Sequence, residues 1–94
     1  PISSSTLDEI TKLLKQNPRL KLYVVGHTDD AGILESNLKL SSDRAAAVVK
    51  ALTERGINSS RLKPAGAGPY CPVESNKTEE GKAKNRRVEL VERN

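Results

Sequence analysis

Between Leu7 and Leu52 the spacing of apolar residues switches from helical to alternating and back, so a strand must lie between two helices. Leu7, Ile10, Leu13 and Leu14 form one helical stripe. Ser3-Ser4-Ser5, with Thr6 and Glu9 three apart, reads as a capping box that opens this helix. Asn17-Pro18 stops it, because proline disfavours helical geometry in the residue before it. Leu20 to Val25 then alternates as a strand: Leu20, Leu22 and Val24 interleave with Lys21 and Tyr23, and Gly26 is expected to end it. Residues 27–39 read as a polar loop, punctuated by Gly32 and containing Asn37. Ser41 is the expected N-cap of a second helix running to about Arg55, with Arg44 in its first turn. Ala45, Val48, Val49 and Leu52 form its inward face, and Gly56 stands where a helix C-terminal glycine belongs.

Beyond Gly56 the signals are shorter. Ile57 to Leu62 turns the chain, Leu62 to Ala67 reads as a strand, and Gly66, Gly68, Pro69 and Pro72 make the following stretch irregular. Thr78 to Asn85 suits a turn or short helix, and Arg87 to Val91 closes as a strand with Val88 and Leu90 on one face. The order helix, strand, helix, strand, loop, strand indicates an α/β sandwich with helices layered on one face of a sheet.

The core of such a fold must be small. Phe, Trp and Met are absent and there are two tyrosines, so Leu, Val, Ile and Ala must fill it. Ninety-four residues make one domain, able to bury roughly two-thirds of its unfolded surface. No apolar run approaches the length of a membrane span. The chain opens at Pro1 without a Met and reads as a piece of a longer protein, so its first residues say nothing of compartment. A net charge of +4, from sixteen basic and twelve acidic residues, is mild and interspersed outside Lys82, Lys84, Arg86 and Arg87. That cluster leaves open a binder of acidic polymers, but Tyr23 and Tyr70 are too far apart in sequence to stack successive bases, so no nucleic-acid partner is expected. Cys71 has no partner for an internal disulfide and reads as a bystander.

His27 is the lone histidine. It has no second imidazole or thiolate at ligand spacing, and no nucleophile stands in a reactive local setting, so neither a metal nor a catalytic residue is expected. His27 reads better as a loop residue whose ring supports a binding rim. Asp29 and Arg44 are fifteen positions apart, yet a strand-loop-helix hairpin can bring both to one rim. A fixed anion beside a fixed cation suits a ligand carrying both charges on one carbon. The alternative for Asp29 is a turn cap, and for Arg44 a solvated helix residue.

Gly26-His27-Thr28-Asp29, Gly32, Asn37, Leu40-Ser41, Arg44-Ala45, Val48, Leu52 and Gly56 together resemble the OmpA-like peptidoglycan-binding domain. Gly66, Gly68, Pro72, Asn76, Thr78, Gly81 and Asn85-Arg86-Arg87-Val88-Glu89 continue the pattern, so it covers roughly residues 20–92. The resemblance extends to peptidoglycan-associated lipoproteins and to the periplasmic part of motor stators. It implies an α/β two-layer sandwich, helices on one face of a small mixed sheet of βαβαβ type, with residues 1–94 forming a single domain that lacks the family's first strand. It further implies non-catalytic, cofactor-free binding of peptidoglycan stem peptides containing diaminopimelate. Asp29 would hold the ammonium of that residue and Arg44 its carboxylate, with Thr28, Asn37, Leu38 and Arg86 lining or bracing the site. Arg86 has the alternative of tying its strand to the loop at Asp29, and Asn37 that of shaping the loop. The implied setting is the periplasm, with a membrane-anchored parent protein held to the wall beneath the outer membrane of a Gram-negative-type bacterium. Homodimerisation is compatible with this. The alternatives are a flagellar motor stator domain and an accessory domain of a wall hydrolase.

Overall fold

A computed structural model describes residues 2–93; Pro1 and Asn94 lie outside the described residues. The first helix, α1, spans Ser4–Gln16 and begins one turn ahead of the expected box. Ser3 is the cap: its backbone is extended and its Oγ accepts the N–H of Thr6 at 3.2 Å. The Thr6 hydroxyl is thereby drawn to Ser3 Oγ at 2.9 Å and does not start a helix of its own. At the other end the Asn17 side chain donates to the carbonyl of Leu13 at 2.8 Å, and Pro18 follows. Leu14 is fully buried and Leu7 and Ile10 pack beside it, but Leu13 faces solvent. It sits roughly 100° around the helix from Leu14, off the stripe.

Strand β1 spans Leu22–His27. Leu22 and Val24 turn into the core while Tyr23 turns out, beneath the Arg93 guanidinium, which lies 5.4 Å from the ring centroid. Gly26 does not end the strand. It continues to His27 because the missing side chain lets the next helix lie against it: a Cβ on Gly26 would stand 2.0 Å from the backbone oxygen of Ser41.

That next helix, α2, spans Leu34–Glu54, beginning seven residues before the expected cap at Ser41. Its N-cap, Ile33, supplies no side-chain hydrogen bond, so the usual polar signal is missing. Its buried residues are Asn37, Ser41, Ala45, Val48 and Leu52, separated by four, four, three and four. The inward stripe is therefore regular from the first turn, but polar at its N-terminal end. Ser41 is fully buried at mid-helix; its hydroxyl donates to the Leu38 carbonyl at 2.8 Å and accepts the Gly68 N–H at 3.0 Å. Gly56, at φ +96°, ends the helix as expected, and the Ile57 N–H turns back to the Leu52 carbonyl.

A short 3-10 turn at Ser59–Arg61 leads into β2, Leu62–Gly68, which pairs parallel with β1; α2 is the crossover that parallel pairing requires. Helix α3, Glu79–Asn85, starts at a Thr78 cap, whose Oγ1 accepts the Gly81 N–H at 2.9 Å. Glu79 and Glu80 stand in its first turn and Lys82 and Lys84 in its last, matching the helix dipole. Strand β3, Val88–Glu92, runs antiparallel to β1, giving the order β2-β1-β3. Leu14, Leu22, Val24, Ala45, Val48, Leu52, Ile57 and Leu62 form one core between α1, α2 and the sheet. The molecule is thus the expected α/β sandwich on a small mixed sheet. No helix among the described residues is long and apolar enough to cross a membrane.

Candidate functional site

The C-terminal end of β1 is clamped from both sides, and this places the loop that follows. The His27 N–H donates to the Arg87 carbonyl at 2.8 Å, and the Thr28 N–H donates to the Gly68 carbonyl at 2.9 Å. His27 is a strand residue and not a loop residue. It is 2% exposed and its Nε2 lies 3.0 Å from Glu89 on β3, so its ring braces strand against strand. Thr28 is buried and its hydroxyl donates to the Asp29 carbonyl at 2.8 Å.

Asp29 is 8% exposed. One carboxylate oxygen accepts the Ala31 N–H at 3.0 Å, so Asp29 also caps its turn. The other accepts from Arg86 Nη1 at 2.6 Å, across a separation of 57 residues. The Arg86 hydrogen bond holds the carboxyl below the ordinary aspartate range. Burial opposes it, while the Ala31 N–H and the charges of Arg86 and Lys82 reinforce it. Arg86 caps the C-terminus of α3 and keeps 41% of its side chain exposed.

Asn37 lies in the first turn of α2, not in the loop, and its Nδ2 donates to the Ala31 carbonyl at 2.8 Å, closing the loop over Asp29. Leu38 is half-buried against Gly68. Arg44 stands about three turns into α2, not in its first turn, so it gains nothing from the helix N-terminus. It is half-buried and has no ion-pair partner among the described residues. It lines a cavity of about 690 Å³ together with Arg86, Ala47, Ala83 and Val88. Arg44 and Arg86 therefore share one hollow. Asp29 is joined to it through Arg86, while Thr28, Asn37 and Leu38 brace the loop behind.

Two contributors escaped the sequence reading. Lys82 adds its charge at Asp29. Asn85, fully buried, organises the loop before α3: its Oδ1 accepts the N–H groups of Val73 and Glu74 at 2.8 and 3.0 Å. Its Nδ2 donates to the Glu74 carbonyl and to Asn76 Oδ1 at 2.9 and 2.7 Å. An Asn immediately before Arg86 was the available signal, though its partners lie in a loop without regular pattern. Asn85→Ala should cost about 2–4 kcal/mol, since the four hydrogen bonds that its buried side chain makes are lost together. Urea denaturation measures this, and a loss below about 1 kcal/mol contradicts the assignment.

The other cations of the C-terminal cluster are engaged. Lys82 lies 3.8 Å from Glu79, Lys84 lies 4.0 Å from Glu74, and Arg87 donates to the Cys71 carbonyl at 3.0 Å. Cys71 is exposed. Among the described residues, no group of three His, Cys, Asp or Glu side chains is placed to hold a metal ion.

Known proteins are similar to this chain over nearly its whole length. The probable lipoprotein YiaD of Escherichia coli K12 is 42% identical over 91 residues, covering 97% of this chain and 42% of that protein. The peptidoglycan-binding protein ArfA of Mycobacterium tuberculosis H37Rv is 37% identical over 91 residues, covering 97% of this chain and 28% of its own length. The chain thus spans less than half of either relative. The crystal structure of the peptidoglycan-associated lipoprotein from Burkholderia pseudomallei superposes with a TM-score of 0.89 at 32% identity, covering 95% of this chain and 75% of that one. The model of the OmpA family matches residues 1–86, nearly the whole sequence, and this chain therefore belongs to the OmpA family.

Proposed function

We infer that residues 1–94 act as a single wall-binding domain, which grips peptidoglycan without chemistry through the free amino-acid end of diaminopimelate. The domain thereby holds its parent protein, an envelope protein of the periplasm and outer membrane, to the wall. The supporting observation is a relay of three charges: Asp29 is bound to Arg86, and Arg86 lines the cavity that Arg44 also lines. A relative named as peptidoglycan-binding and a structural neighbour named as peptidoglycan-associated support the reading.

The free end of diaminopimelate is a zwitterion. Arg44, with its planar paired donors and no ion-pair partner among the described residues, suits the carboxylate, and Asp29 suits the ammonium. Each charge-assisted bond is worth about 1.5–3 kcal/mol, so a single site binds modestly. Repeated stems on one wall polymer then raise the effective concentration. Lysine-type stems lack the carboxylate and should bind more weakly.

Titration by NMR with a diaminopimelate-containing muropeptide tests the reading. Amide signals of residues 28–44 should shift, and Arg44→Met should weaken binding at least tenfold with an unchanged melting temperature. Unmoved signals at millimolar ligand, or equal binding by Arg44→Met, would exclude it. Purified wall should co-sediment with the domain and release no soluble fragments; release would instead favour a hydrolase.

A further inference from the structure

The acid assigned to the ligand's ammonium already has a cation. One oxygen of Asp29 is held by the Ala31 N–H and the other by Arg86 at 2.6 Å, and only 12% of the side chain is exposed. An arriving ammonium finds both oxygens engaged and little open surface from which to approach. Lys82 adds a second positive field at the same carboxylate. Arg86 is the movable member of the pair. Its side chain is 41% exposed, and it borders the cavity that Arg44 also borders.

We propose that Arg86 is an exchangeable counterion that selects zwitterions: the ligand's ammonium takes Asp29 from Arg86, and its carboxylate takes the released guanidinium beside Arg44. This rests on the wall-binding reading above and adds to it the source of discrimination. A bare ammonium that displaces Arg86 leaves a guanidinium without a counterion next to Arg44, so one ion pair is gained and one lost. A zwitterion replaces one internal pair with two external ones. Selection against lysine-type stems then comes from breaking the Asp29–Arg86 pair, in addition to the contact that Arg44 lacks with such a stem.

Two synthetic stem tripeptides, identical except for diaminopimelate or lysine at the third position, distinguish the possibilities when titrated into the unaltered chain and into Arg86→Met. The unaltered chain should prefer the diaminopimelate stem by at least tenfold. In Arg86→Met the lysine stem should bind at least threefold tighter than to the unaltered chain, while the diaminopimelate stem binds more weakly. A purely structural Arg86 would weaken both together, and that result overturns the proposal. Should Arg86→Met fail to fold, the guanidinium signals of Arg86 in the unaltered chain serve instead. They should shift on adding the diaminopimelate stem and stay fixed with the lysine stem; a guanidinium still paired to Asp29 in the diaminopimelate complex overturns the exchange alone. If neither stem binds the unaltered chain, the wall-binding reading itself falls, and the exchange with it.

Discussion

Gly26→Ala is expected to destabilise the fold by about 3 kcal/mol or more, the upper end of overpacking costs. The added Cβ would stand 2.0 Å from the Ser41 carbonyl oxygen, 2.8 Å from its carbon and 3.1 Å from Cα. All three are backbone atoms in the middle of α2, so no rotamer change can relieve the contact. The helix must instead withdraw from the sheet. Withdrawal loosens Ala45, Val48 and Leu52 from Leu22 and Val24, and it lengthens the bond from the Gly68 N–H to Ser41 Oγ. Domains are stable by roughly 0.05–0.15 kcal/mol per residue, so such a loss removes a large part of the whole. Urea denaturation should show a much lower midpoint with an unchanged slope. A loss under about 1 kcal/mol would mean that α2 does not lie against β1 as described.

Asp29→Asn is expected to weaken muropeptide binding by about 10- to 100-fold, the equivalent of one charge-assisted contact. The substitution keeps an acceptor oxygen for the Ala31 N–H, so the loop should retain its shape. It removes the anion that meets the ammonium, and it releases Arg86 from its ion pair. Unimpaired binding would remove Asp29 from the site. The same variant has a defined pH signature. The carboxyl of Asp29 is held below the ordinary aspartate value, chiefly by the Arg86 hydrogen bond. A depressed folded pKa means that the pair's contribution to stability is complete above the unfolded value, about 3.9, and is lost as pH falls through the lower folded value. The stability difference between the unaltered chain and Asp29→Asn should therefore be constant from pH 7 to pH 5 and shrink below about pH 4. A difference that grows on acidification would contradict the sign of the shift.

Several elements could be read from local pattern, and the places where that reading failed share a cause. Pro18 after Asn17, Gly56 after a helical stripe, and Leu22 and Val24 in alternation each act through their own backbone or immediate neighbours. The start of α2 could not be found this way. Its first inward positions are Asn37 and Ser41, which a search for apolar spacing passes over. They are tolerated inside because the Ala31 carbonyl, the Leu38 carbonyl and the Gly68 N–H complete their hydrogen bonds. The first and last of these come from segments outside the helix. Misplacing that start carried Arg44 into a first turn it does not occupy. Gly26 reads as a strand end for a similar reason: glycine is a sound sign of a break when nothing shows that a helix needs the space.

The site divides in the same way. Asp29 and Arg44 stood out as an acid and a base on either side of one loop, and the order of helices and strands followed from periodicity and helix stops. These are short-range matters of backbone geometry and of which side chains avoid water. That Arg86, 57 residues away, ties itself to Asp29 is one of the two roles the sequence left open for it, and assembly decided between them. Asn85 must gather the loop at Val73 and Glu74, and β3 must pair antiparallel with β1, before α3 presents Arg86 to the carboxylate. An ion pair depends on distance in space, and only the packed chain sets that distance.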